Sequence, residues 1–114
     1  MNFEDIVQTL DARIIHRSSQ YDSVTVKSVV ISDLMSDVLV MEKPSPLIVS
    51  SLSSEQTLRT ASMVDAPGVL IAQNKPLPEG ITELAQELDI TLLHTSLPKF
   101  ETCVLLGRLL EKKE

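Results

Sequence analysis

Three times between Leu47 and Lys112, a short apolar run is followed by a longer stretch with apolar residues at helical spacing. This alternation constrains the fold more than any other feature of the chain. Leu47 to Ser50, Val69 to Ala72 and Ile90 to Leu93 are too short for helices and too apolar for loops, so they read as strands. The stretches between them carry stripes: Leu58, Ala61 and Val64 in the first, Ile81, Leu84, Ala85 and Leu88 in the second. A strand that is apolar on both faces needs cover on both. A helix between successive strands makes those strands parallel. The expected fold is therefore α/β, a mixed and mostly parallel sheet with flanking helices, with residues 1–114 forming a single domain. A chain of 114 residues can build such a core without disulfides or a metal.

The first half makes the sheet mixed. Asn2 is placed to cap a helix running to Asp11, with Phe3, Ile6, Val7 and Leu10 on one face. Ala12 to His16 reads as a strand and Ser18 to Asp22 as a polar turn. Val24 to Ile31, rich in β-branched residues, is the clearest strand signal. Ser32 reads as the cap of a short helix that buries Leu34, Met35, Val38 and Leu39 and ends at Pro44-Ser45-Pro46. Further on, Ser53 and Ser54 cap the helix that reaches about Val64. Pro78 opens the next helix, and Ser96 and Pro98 open the last.

Charge and composition exclude several functions. Ten basic against sixteen acidic residues give a net charge of −6, and the aromatics are Phe3, Tyr21 and Phe100 alone. An acidic surface repels phosphate backbones, and three rings make no stacking platform, so no nucleic-acid partner is expected. No apolar run approaches the roughly 20 residues of a membrane span. The opening MNFEDIVQTL has no signal-peptide core, and Cys103 is the single cysteine. The expectation is a cytoplasmic protein without membrane contact.

Ile31-Ser32-Asp33-Leu34-Met35-Ser36-Asp37-Val38-Leu39 resembles the central motif of the DRTGG domain. The likeness continues through Leu58 to Met63, Gly68 to Ile71, the Pro78 helix, Leu92 to Ser96, and Phe100-Glu101. The order of elements is similar to the N-terminal domain of HPr kinase/phosphorylase, and the stand-alone form resembles DRTGG proteins associated with iron-only hydrogenases. The resemblance implies an accessory domain of that α/β fold. The Asp-Arg-Thr-Gly-Gly signature itself has no full counterpart. Tyr21 to Val30 stands in its place, with Asp22 as the only match and both glycines missing. The chain's glycines are Gly68, Gly80 and Gly107, so there is no phosphate loop of the GxxxxGK[ST] kind.

Ligands of open α/β sheets bind beyond the carboxyl ends of the strands. Three such ends are polar here: Ser50, Ser51, Ser53 and Ser54; Gln73, Asn74 and Lys75; and His94, Thr95 and Ser96. Arg59 and Lys75 are the cations within reach, though both also suit a solvated surface. Taken singly, the serines are more often helix caps than ligand contacts. Their clustering at strand ends narrows that margin without reversing it, and the functional reading is a pocket for a phosphate-bearing or nucleotide-like small molecule. Asp33 and Asp37, four apart, read as charges that complement a helix dipole. His16 and His94 lack metal-ligand spacing, and Cys103 reads as a core residue. No metal or cofactor is expected.

The sequence therefore suggests a non-enzymatic regulatory or ligand-sensing module. The alternative is a structural protein-interaction or dimerisation domain with no small ligand. An enzyme would have only Asp33, Asp37 and His94 to work with. On the last helix, Phe100, Cys103, Val104 and Gly107, extended by Leu106 and Leu110, are expected to dock on the sheet. That leaves Leu105 and Leu109 as an outer stripe, which suits a homodimer interface.

Overall fold

The computed structural model describes residues 1–112. Five strands form one sheet: β1 (Arg13–His16), β2 (Ser28–Ile31), β3 (Pro46–Ser50), β4 (Gly68–Ile71) and β5 (Thr91–His94), in the order β1-β5-β4-β3-β2. The strands β2, β3, β4 and β5 run parallel, with Val30 beside Ile48, Ile48 beside Val69 and Val69 beside Leu92. The edge strand β1 is antiparallel to β5, with Arg13 opposite His94. The mixed, mostly parallel sheet is as expected, including the parallel trio β3, β4 and β5.

Five helices cover the sheet: α1 (Phe3–Leu10), α2 (Met35–Val40), α3 (Glu55–Met63), α4 (Ile81–Leu88) and α5 (Lys99–Lys112). Successive side chains of a strand point to opposite faces. Val30, Ile48, Val69, Ile71 and Leu92 therefore meet α2, α3 and α4 in one core. Leu47, Val49, Leu70 and Leu93 meet α1 and α5 in the other, with Met1, Tyr21 and Val26. The strands β2 to β5 advance one step at a time in one direction. Crossovers of one hand must then put their helices on one face, which is where α2, α3 and α4 lie. From β2 onward, the chain changes face only after β5.

The structure corrects the sequence reading in four places. Only Ser28–Ile31 of the expected long strand joins the ladder. A strand needs a partner, and the ladder with β3 begins at Ser28 opposite Pro46. Before Pro46 the neighbouring chain leaves the sheet at Ser45, whose φ is 41°. Val26 instead pairs with Met1: its N–H donates to the Met1 carbonyl at 2.7 Å, and the N-terminal ammonium donates to the Val26 carbonyl at 3.0 Å. The second correction is α2, which has only six residues and buries the single stripe Met35 and Val38. Leu34 and Leu39 stay outside, 57% and 43% exposed. Ser32 forms a turn with Leu34 ahead of that helix; its Oγ accepts from the Leu34 N–H at 3.0 Å. Third, α4 starts at Ile81, after Gly80 at φ 84°, so Pro78 lies in the preceding turn. That left-handed backbone suits glycine and strains other residues.

The fourth correction is the rotational setting of α5. Thr102 and Leu106 are its fully buried residues, while Leu105, Leu109 and Leu110 are partly buried against the second core. Phe100, expected inside, is 74% exposed, and Gly107 is also outside. A hydroxyl made this phase possible. Thr102 Oγ1 donates to the Pro98 carbonyl at 2.9 Å, so a polar side chain can face the core at little cost. The Thr102 N–H bonds to the same carbonyl at 3.0 Å, which makes Pro98, not Ser96, the residue that starts the helix.

Candidate functional site

The carboxyl ends of β2 to β5 carry all the residues singled out as ligand contacts, but the structure sorts them into three groups. The first surrounds the start of α3. Ser53, Ser54, Glu55, Gln56, Arg59 and the Pro78-Glu79 turn line a hollow of about 520 Å³, so two carboxylates share it with one guanidinium. Ser54 is the N-cap residue, yet its side chain makes no capping hydrogen bond; its Oγ lies 3.4 Å from Thr57 Oγ1. The Thr57 N–H donates to the Ser54 carbonyl at 3.1 Å, which leaves the Glu55 and Gln56 N–H groups uncapped at the positive end of the helix dipole. Ser53 Oγ donates to the Pro76 carbonyl at 2.7 Å, which fixes the opposite wall. Arg59 is exposed and lies 3.7 Å from Glu55 on the same helix, a contact worth little in water.

The second group sits between β4 and β5. The chain leaves β4 for the α4 face and leaves β5 for the α5 face, which makes this gap the topological switch point of the sheet. Asp11, Arg13, Asn74, His94 and Ser96 line a hollow there of about 200 Å³. It is small because the two loops are bonded together. The Gln73 N–H donates to the Leu97 carbonyl at 2.8 Å, and the Asn74 N–H to the Thr95 carbonyl at 3.0 Å. His94 is buried, with Nδ1 3.3 Å from the Arg13 guanidinium and Nε2 2.8 Å from the Lys75 carbonyl. Arginine only donates and a carbonyl only accepts, so Nδ1 is the acceptor and Nε2 carries the proton. Thr95, expected to reach a ligand, is buried; its hydroxyl donates to the Leu10 carbonyl at 3.0 Å. Lys75, expected to meet a ligand, is exposed and lines neither hollow.

The third group centres on Asp33. Its carboxylate accepts from Ser50 Oγ at 2.8 Å, the Ser51 N–H at 2.8 Å, Ser51 Oγ at 2.7 Å and Lys99 Nζ at 2.6 Å. Asp33 precedes α2, so it does not share a helical face with Asp37. Lys99 carried a signal that could have exposed this node: a cation in the first turn of a helix opposes the dipole and implies an anionic partner. The reach from α5 to the β2–α2 loop crosses 66 residues and leaves no local pattern.

Partial burial raises the Asp33 carboxyl, but hydrogen bonds from Lys99, Ser51 and Ser50 outweigh it and hold the group well below the usual carboxylate range. A depressed folded pKa contributes stability that is complete above the ordinary value of 3.8 and is lost as pH falls from there. The side chain is 41% exposed, so screening limits the effect to about 1 kcal/mol. Urea unfolding between about pH 5 and about pH 2.5 should show the wild type losing more stability with acid than Asp33→Asn. Equal losses would contradict this linkage.

Cys103 is half-buried, and burial pushes its thiol up from the ordinary value, away from the reactive thiolate. Among the described residues, no group of three or more His, Cys, Asp or Glu side chains could hold a metal. No helix among them is long and apolar enough to cross a membrane.

No curated protein sequence matches this chain. Among solved structures, it is similar to the CBS and DRTGG domains of the regulatory region of a Clostridium perfringens pyrophosphatase, complexed with the activator diadenosine tetraphosphate. The TM-score is 0.74 at 16% sequence identity, over 92% of this chain. The match covers 45% of the other chain, so this protein spans under half the length of that regulatory region. At that identity the likeness shows a shared fold. The block from Ile31 to Leu39 and the order of elements pointed to one family, and the pattern that defines it matches residues 5–109: the chain belongs to the DRTGG domain family.

Proposed function

We propose that this domain is a non-catalytic regulatory module that senses a phosphate-bearing or nucleotide-like small molecule at the carboxyl ends of its parallel strands. One observation carries the reading. The start of α3, without a side-chain cap, borders a hollow of about 520 Å³ that offers the Ser54 hydroxyl and the Arg59 guanidinium. Free N–H groups, a helix dipole and a guanidinium are what an anionic group requires. The nucleotide activator of the similar pyrophosphatase regulatory region supports the class of ligand. The only side chains considered for catalysis are otherwise engaged. Asp33 is filled with donors, both His94 nitrogens are bonded, and Asp37 is exposed elsewhere.

Thermal unfolding with AMP, ATP and diadenosine tetraphosphate tests this. A binder at one hundred times its dissociation constant adds about 2.7 kcal/mol and raises Tm. Arg59→Gln and Ser54→Ala should each reduce the shift. No shift with any of the three at millimolar concentration would refute the reading.

A homodimer is the second reading, and the outer face of α5 favours it. Leu97, Phe100, Val104 and Leu105 line an apolar hollow of about 300 Å³, with Glu101 and Arg108 on its rim. Opposite charges on one self-facing surface allow a twofold copy to set Glu101 against Arg108. Leu105 lines this hollow as well as packing on the second core, whereas Leu109 only packs inward.

A further inference from the structure

We propose that Ser50, Ser51 and Lys99 form a phosphate site, and that the Asp33 carboxylate occupies it as an internal stand-in which a ligand phosphate displaces. The proposal rests on the reading of the domain as a sensor of phosphate-bearing molecules and adds where the phosphate goes and what its arrival releases.

The donors make the case. Two hydroxyls, one backbone N–H and one ammonium converge on a single anion, two on each carboxylate oxygen. Hydroxyls, a main-chain amide and a lysine are the groups that hold phosphate oxygens elsewhere, with charge assistance from the lysine. They are fixed in advance of any ligand. Ser50 ends a fully buried strand, and its Oγ accepts from the Leu52 N–H at 3.0 Å, which turns its proton towards the anion. Lys99 stands on the first turn of α5, held by the Pro98–Thr102 bonds. The acceptor is anchored differently. Asp33 lies in the short link between edge strand β2 and the six-residue α2, beside the exposed Leu34. Its side chain is 41% exposed, so an anion from solution reaches the donors without unfolding the core.

Ser51 and Ser53 are two residues apart, at most about 7 Å along the chain. A terminal phosphate on the Asp33 donors therefore leaves the remaining phosphates of a nucleotide within reach of the hollow at the start of α3. Carboxylate and phosphate exclude one another on the Ser51 N–H, Ser51 Oγ and Lys99 Nζ. Exchange frees the β2–α2 link and with it a helix that shows Leu34, Leu39, Val40 and Met41 to solvent. Ligand occupancy thereby acquires an output at the sheet edge.

The test titrates inorganic phosphate and, separately, AMP into the full chain, followed by amide NMR. Asp33→Asn keeps the volume and removes the competing charge, and it should bind phosphate about tenfold more tightly than wild type. Adding Lys99→Gln should abolish that gain. In the wild type, phosphate should move the Ser51 amide and the Asp33 carboxyl signal together, which decides the matter if Asp33→Asn does not fold. Unchanged phosphate affinity in Asp33→Asn, or an Asp33 signal that stays still while phosphate saturates, overturns the proposal. If AMP then shifts Ser53, Ser54 and Arg59 without Ser51, the sensor reading stands and the stand-in fails alone. If neither probe binds either protein, both fail.

Discussion

Replacing Phe3 by alanine should cost about 3–5 kcal/mol, the range for emptying a large buried ring from a core. Phe3 is fully buried and stacks on Tyr21, ring centroids 5.4 Å apart and planes 12° from parallel. Tyr21 is itself anchored, since its hydroxyl donates to Glu4 Oε1 at 2.8 Å and the Arg17 guanidinium lies 5.1 Å over its ring. On the sheet side the ring presses on Gly68. A Cβ at Gly68 would lie 2.6 Å from Phe3 Cζ and 2.7 Å from Cε1, with the Thr91 carbonyl at 3.3 Å. The ring is fully buried, so Gly68→Ala should cost about 1–3 kcal/mol by overpacking. The two substitutions share one space. In the double variant the new methyl enters the hole left by the ring, and the total loss should fall below the sum of the single losses. Urea unfolding of the three variants measures this. Strict additivity would mean that Gly68 and Phe3 are not in contact.

The second large effect tests the setting of α5. Leu106 is 1% exposed, and Leu106→Ala should cost about 2–5 kcal/mol. Phe100 is exposed, and Phe100→Glu should change monomer stability by less than about 0.5 kcal/mol. If the outer face of α5 is the dimer interface, the same Phe100→Glu shifts sedimentation from dimer to monomer. A large loss from Phe100→Glu would restore the setting expected from the sequence, which places Phe100 as well as Leu106 on the sheet.

That contrast shows what the sequence reveals and what it hides. The strands β3, β4 and β5 were readable because they are buried on both faces, and continuous apolar runs such as Val69-Leu70-Ile71 have no other use in a small domain. The extent of β2 was not readable. β-Branched residues favour an extended backbone, but whether Val24 to Lys27 joins a sheet depends on where the partner chain begins, and Pro44-Ser45 decides that. On α5, leucines and valine recur on nearly every side, so periodicity leaves the docking face open. A threonine that bonds to its own turn then settles it.

The candidate site divides in the same way. Polar residues at three strand ends were visible as a class. Their grouping depends on which face each loop takes, and the crossing of the chain to the α5 face separates Asn74 and Ser96 from Ser53 and Ser54. Thr95 looked like a ligand contact because hydroxyls near strand ends often are. Its use is to tie β5 to the end of α1. Asp33 was legible as a member of the family block and as a helix-dipole charge beside Asp37, but not as the centre of a donor cluster. Its partners on β3 and α5 lie 17, 18 and 66 residues away, beyond any local pattern.

The central claim is that this DRTGG domain binds a nucleotide-like anion at the start of α3. Amide chemical-shift mapping during an ATP titration addresses it most directly. Saturable shifts are expected, centred on Ser51, Ser53, Ser54, Gln56 and Arg59 and reduced in Arg59→Gln. Saturable shifts centred instead on the outer face of α5, around Phe100 and Val104, or no shifts at millimolar ATP, would contradict it.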